Sequence, residues 1–224
     1  MPSAKSALLV GASGLVGSAL LPILLQSPQY AQVTIFVRKP LPITHEKLRQ
    51  VTVDFDNLAA YAEYFEVQDI FCTLGTTIKK AGSQAAFKKV DYEYPLELAR
   101  LAHRHHAEKF LIITALGSDA ASNIFYNQVK GQVEQAIQAS GLSSIHIFRP
   151  SLLLGDRQEF RFGERMGAAV ARLLPMVFIG SWRKYKPIQA RTVARAMYVA
   201  ANPIQNTQAH TTIYESDQIM EMGQ

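Results

Sequence analysis

Runs of strand length alternate with segments of helix length along almost all of this 224-residue chain. That alternation limits the fold more than any other feature. Residues 7–10, 33–37, 51–55, 69–74, 110–114, 144–148 and 211–214 read as strands, most of them rich in β-branched or aromatic residues. Residues 15–26, 85–105, 123–140, 163–174 and 192–201 read as helices, the third closed by Gly141. Strands joined through helices of ten or more residues make βαβ units. Such units build a doubly wound parallel sheet with helices on both faces. The expectation is one α/β domain over residues 1–224 with about seven strands. Pro22 falls inside the first helix and is expected to bend it.

Composition agrees with a packed domain. Hydrophobic residues make up 48% and charged residues 18%, enough apolar material for a large core. The net charge of +5 comes from scattered residues and pairs such as Lys79-Lys80 and Lys88-Lys89. No basic stripe interleaves with aromatics, so no nucleic-acid partner is expected. The single cysteine, Cys72, lies in an apolar strand and reads as a small core residue, which fits a reducing compartment. The first six residues leave no room for a secretory apolar region. The apolar stretches around Leu20 and Leu173 are too short and too broken by proline to span a bilayer. These readings make a cytoplasmic protein the expectation, monomer or homodimer, with no membrane partner. His103, His105 and His106 end a helix in a polar run and read as partners for its dipole, with no metal site expected.

The glycines Gly11-x-x-Gly14-x-x-Gly17 follow the first strand and open the first helix. Glycine permits φ > 0 and close backbone approach, and a helix N-terminus adds partial positive charge. The turn is therefore a phosphate cradle of Rossmann type, with Gly11, Ser13, Gly14, Leu15, Val16 and Gly17 as its expected contacts. A site that takes NAD usually has an acid after the second strand to hold the ribose 2′-hydroxyl. This chain has Arg38-Lys39 there, and a guanidinium suits a 2′-phosphate. NADP(H) is the expected guest and NAD(H) the alternative. Asp54 and Phe55 end the third strand as read here and are expected to flank the adenine.

About a hundred residues further on stands Tyr126-x-x-x-Lys130. Residues at i and i+4 on a helix share a face. A phenol titrates near 10 in water, and a neighbouring ammonium favours its ionised form. Such a pair can exchange a proton with a substrate oxygen.

The glycine turn, the Tyr126/Lys130 pair and Arg149-Pro150-Ser-Leu-Leu-Leu-Gly155 stand in the order of the short-chain dehydrogenase/reductase superfamily. Phe71-Cys-Thr-Leu-Gly-Thr-Thr77, Lys80-Ala-Gly82, Val90-Asp91, Phe125 to Gly131 and Asp156-Arg-Gln-Glu159 resemble its atypical Tat-interacting oxidoreductase subgroup. The resemblance runs from Leu8 to about Ala201. It implies Tyr126 as proton donor in reduction, and Lys130 as the residue that holds the nicotinamide ribose and eases ionisation of the phenol. It implies a hydroxyl from the fifth strand on the substrate oxygen. Thr114 takes that place, with Ser118 in reserve. Leu74, Gly75 and Thr76 would line the cofactor, and Pro150, Leu152 and Leu153 would meet the nicotinamide amide. Asp91 replaces an asparagine common in the superfamily and is given no catalytic role. Residues 152–187 would form much of the substrate wall, with Trp182 and Tyr185 as covers for it. The resulting expectation is an NADPH-dependent oxidoreductase acting on a small carbonyl or alcohol. The alternative is a cofactor sensor with a protein partner.

Overall fold

The computed structural model describes residues 4–155, 180–203 and 210–224. The first half runs β1 (Lys5–Val10), α1 (Leu15–Gln26), β2 (Tyr30–Val37), β3 (Leu48–Thr52), 3₁₀ turns (Phe55–Phe65), β4 (Asp69–Cys72), α2 (Ile78–Ala81) and α3 (Gln84–Lys88). A π-helical turn (Lys89–Glu93) leads into α4 (Tyr94–Arg104). Then come β5 (Lys109–Ile113), α5 (Phe125–Gln138), β6 (Ile145–Arg149) and β7 (Leu153–Leu154). A 3₁₀ segment (Gly180–Tyr185), β8 (Ile188–Gln189), α6 (Ala190–Ala201), β9 (Thr211–Glu215) and α7 (Ser216–Met222) complete the described chain.

Seven strands form one sheet in the order β3-β2-β1-β4-β5-β6-β9, every pairing parallel. Strands β7 and β8 make a separate short pair. Residues 7–10 of β1 and all of β4 are buried, as strands with helices on both faces must be. One face packs against α1, α6 and α7, through Leu20, Leu24, Val193, Met197 and Ile219. The other packs against the 3₁₀ turns, α4 and α5, through Leu58, Phe65, Leu98, Leu101, Val133 and Ile137. Each such side chain contributes about 1.5–3 kcal/mol by leaving water. The chain winds outward from β1 to β3, then crosses back to β4. This reversal leaves a crevice at the carboxyl ends of β1 and β4, the position where open parallel sheets bind ligands.

Several boundaries differ from the sequence reading. The third strand is Leu48–Thr52, not 51–55. Beyond it, Val53 N still donates to Val37 O, but Asp54 caps the following 3₁₀ turns by accepting from Asp56 N. Phe55 thus belongs to those turns and tilts against Tyr94, with ring centroids 5.4 Å apart. The long helix over 85–105 is three joined pieces, α3, the π turn and α4. Pro22 lies within an unbroken α1 on its exposed side, where water can reach the carbonyl that loses its partner. The helix expected over 163–174 and the motif at 156–159 lie outside the described residues.

Candidate functional site

Gly11 takes φ +92°, and a Cβ there would stand 2.7 Å from the backbone of Thr73. The turn and the end of β4 are therefore in close contact. Thr73 secures them further, its N and Oγ1 reaching Val10 O at 2.8 and 2.9 Å. A Cβ on Gly17 would overlap Gly11 O, so α1 can approach the turn only with glycine at that place. Gly14 is the N-cap of α1 and supplies no side-chain cap. The first turn holds no acid. The amides of the first turn have no intrahelical acceptor, and the helix dipole adds positive potential there.

This helix end faces a cleft of about 600 Å³. Gly14, Leu15 and Val16, residues 73–77, residues 113–115 and residues 150–155 line it, with Gly155 packed against Leu15. Lys80, Asp91, Tyr126 and Lys130 complete it. The nineteen residues anticipated from sequence for the catalytic and cofactor site are thereby split into two groups. Gly14, Leu15, Val16, Leu74, Gly75, Thr76, Thr114, Tyr126, Lys130, Pro150, Leu152 and Leu153 line the cleft. Gly11, Ser13, Gly17, Arg38, Lys39, Asp54 and Phe55 lie outside its lining. Gly11 and Gly17 shape it from behind. Arg38 and Lys39 are exposed just past the end of β2.

Lys130 sits on the buried side of α5, and its Nζ lies 2.7 Å from Asp91 Oδ1, with both side chains almost wholly shielded from solvent. Asp91 Oδ2 accepts from Thr76 N at 2.9 Å. Burial pulls the ammonium down, but Asp91 and then Tyr126 more than offset this, and Lys130 is held above the ordinary lysine value. Tyr126 is half-buried, with its ring tilted against Phe87 at 5.6 Å. Burial pushes the Cys72 thiol up to about 12, which leaves it a neutral core group.

The two hydroxyls considered for the substrate oxygen are both engaged. Thr114 Oγ1 donates to Glu134 Oε1 at 2.6 Å. Ser118 Oγ donates to Ala115 O at 2.7 Å, closing a tight turn. Glu134 is buried and also accepts from Arg149 Nε and Nη2, while Arg149 Nη1 reaches Glu215 at 3.1 Å. Glu134 went unnoticed in the sequence, although a readable signal existed. It stands one helical turn after Lys130, and a second charged residue on a buried helix face needs a partner. Tyr185 is about half exposed beside Lys184. The side chain of Trp182 lies outside the described residues.

Comparison with known proteins places the chain. The family model HIM1 matches residues 39–178. The chain is 34% identical to Protein HTATIP2 of Rattus norvegicus, over 98% of this chain and 89% of that protein. It is 28% identical to Protein FMP52, mitochondrial, of Candida albicans, over 85% of each. In fold it is similar to a short-chain dehydrogenase/reductase superfamily protein from Agrobacterium tumefaciens with bound NAD. That likeness has a TM-score of 0.69 at 16% identity, over 94% of this chain and 77% of the other. The expectation of a cytoplasmic protein is corrected by the relatives, since several further fungal ones also carry mitochondrial in their names. Among the described residues no helix is long and apolar enough to cross a membrane. The chain belongs to the HIM1 family and is an atypical short-chain dehydrogenase/reductase of the Tat-interacting protein-like group.

Proposed function

We propose that this protein is an NADP(H)-dependent oxidoreductase that reduces a small carbonyl compound to its alcohol. The observation that carries this reading is that Tyr126 and Lys130 line the same cleft as the uncapped start of α1. The free amides of that helix end fit a pyrophosphate, which needs several donors and no opposing acid. A nicotinamide bound there supplies a hydride for the carbonyl carbon. Tyr126 then gives its hydroxyl proton to the carbonyl oxygen, which completes the alcohol. Lys130, one turn further along α5, is close enough to interact electrostatically with the phenol as the proton leaves. Leu74, Gly75 and Thr76 would flank a bound dinucleotide, and the backbone of Pro150, Leu152 and Leu153 would face its nicotinamide end.

Arg38 supports NADP(H) over NAD(H). It is exposed at the carboxyl end of β2, next to the strand that carries the glycine turn. Its exposed guanidinium is open to a 2′-phosphate. Thr114 could bond a substrate oxygen only by releasing Glu134. Tyr126 is therefore the principal side chain on that oxygen.

The engaged state of Thr114 and Ser118 favours one other reading, a protein that binds the cofactor without turning it over and reports its presence to a protein partner. The two are separated by NADPH consumption against a panel of aldehydes and ketones, with calorimetric binding measured in parallel. Consumption that Tyr126→Phe abolishes supports the reductase. Tight binding with no consumption across the panel supports the sensor.

A further inference from the structure

Asp91 has no assigned role in the reaction above, yet it is the charged group in closest contact with Lys130. It sits in the π-helical turn Lys89–Glu93 between α3 and α4. Such a turn inserts an extra residue into a helix and is often found where a side chain must be re-aimed. Asp91 is 1% exposed, with Oδ1 on Lys130 Nζ and Oδ2 on Thr76 N. Three separate elements thus meet at one carboxylate: α5, the π turn and the loop after β4.

We propose that Asp91 is a positioning residue that neutralises Lys130, so that Tyr126 faces a closed ion pair instead of a bare ammonium, and that this sets the site to give a proton rather than take one. The clause about giving a proton rests on the reductase reading. The clause about charge does not. Tyr126 and Lys130 are one turn apart on α5, which puts their Cβ atoms about 5–6 Å from each other. At that range a lone ammonium in a site of intermediate polarity eases ionisation of a phenol by about one to two pH units. A carboxylate in contact with the same ammonium turns the charge into a short dipole, whose field falls off much faster.

Other charged groups around the pair do not take over this role. Cys72 on β4 is neutral. Glu134, further along α5, is closed against Arg149. Lys80 reaches the cleft from α2 and adds positive potential at its wall. Asp91 is therefore the group that decides how much of the Lys130 charge reaches the phenol.

The test is a spectrophotometric titration of phenolate in the cofactor-free protein. Subtracting the matching Tyr126→Phe protein isolates the one tyrosine. Asp91→Asn keeps an acceptor for Thr76 N and removes the charge. Its Tyr126 midpoint should move to lower pH by about one to two units. Asp91→Glu should bring it back. The midpoint of the pH–rate profile should follow in the same direction, with kcat affected more than KM. An Asp91→Asn midpoint that stays put or rises overturns the proposal.

Asp91→Asn leaves a buried lysine without its partner and can fail to fold. The double variant Asp91→Asn/Lys130→Met has no orphan charge and decides the matter in that event. A neutral pair exchanged for two neutral side chains should leave the midpoint within roughly half a unit of wild type. A midpoint well above wild type would mean that Lys130 acts undamped, against the proposal. Failure of the reductase reading looks different: the titration shifts as stated, yet no carbonyl in the panel consumes NADPH.

Discussion

The two ends of the parallel sheet both bury charge, and they use it in opposite ways. At the amino ends of the strands, Asp69 Oδ2 accepts from Lys5 at 3.0 Å and from Tyr30 Oη at 2.6 Å. Lys5 also donates to Ala201 O and Asn202 Oδ1, and Lys109 donates to Ala201 O as well. These bonds tie the end of α6 to β1 and β5. Burial, reinforced by Asp69, pushes the Tyr30 phenol far above its usual range, so it remains a fixed donor. At the carboxyl ends a lysine, an aspartate and a tyrosine again meet. There the tyrosine faces a cleft, and the start of α1 has no cap. Similar residue types fasten a helix at one end and form a reactive surface at the other. What separates them is whether the donors already have acceptors.

This contrast can be broken at several points. The largest expected effect is at the cleft. Tyr126→Phe should lower turnover by about 10²- to 10⁴-fold while NADPH still binds, as steady-state kinetics and calorimetry together will show. At the opposite end, Asp69→Ala should cost about 3 kcal/mol in denaturant unfolding, because Lys5 and Tyr30 lose a shared partner. Cofactor affinity should stay within roughly twofold, since the site is far away. An affinity loss there would mean that the two ends are coupled.

The amino end should also carry a pH signature in stability. Burial first, and then the charge of Lys109, lower His146 to about 4. The unfolded chain thus binds a proton more readily than the folded one between about 4 and 6.5. Stability is full above about 6.5 and falls as pH drops towards 4, by about 2–3 kcal/mol. Unfolding curves of His146→Gln should lack most of that slope. Next in size is Arg38→Ala, which should weaken NADPH by about ten- to a hundredfold and leave NADH nearly unchanged, as read by calorimetry. The smallest effect on activity should come from Thr114→Val. Its hydroxyl serves Glu134, so the loss should be about 1–2 kcal/mol in stability with little change in turnover. A hundredfold fall in turnover at unchanged stability would return the hydroxyl to the substrate.

Local features of the chain were readable in advance, and contacts between distant residues were not. All seven strands of the sheet overlap short apolar runs, most of them rich in β-branched or aromatic residues, and α1 follows from the glycine turn and the leucines behind it. The third strand was placed three residues late because Val53 and Phe55 continue the apolar pattern after the ladder has ended. Helix α7 was missed because seven residues give too short a period to detect. The glycine turn and the Tyr126/Lys130 pair were legible because each is a motif within one element. The bond from Asp91 to Lys130 was not, since it depends on a π turn that nothing in residues 84–104 announces. The bond from Thr114 to Glu134 joins β5's end to α5 across twenty positions and needed the packing to be seen.

The central claim is that the uncapped start of α1 is the anion seat of a nicotinamide dinucleotide. Calorimetric titration of NADPH into wild type and Gly14→Asp tests it most directly. Gly14 has φ −73°, which any residue can adopt, and a Cβ there would stand 3.0 Å from the backbone oxygen of Gly11, a tight contact. An aspartate at an N-cap accepts from the first-turn amides and usually stabilises the helix. It would also place a negative charge where the pyrophosphate must sit. Saturable NADPH binding by wild type is expected, weakened by about a hundredfold or more in a Gly14→Asp protein that still unfolds cooperatively. Equal affinity in both proteins, at equal stability, would contradict the claim.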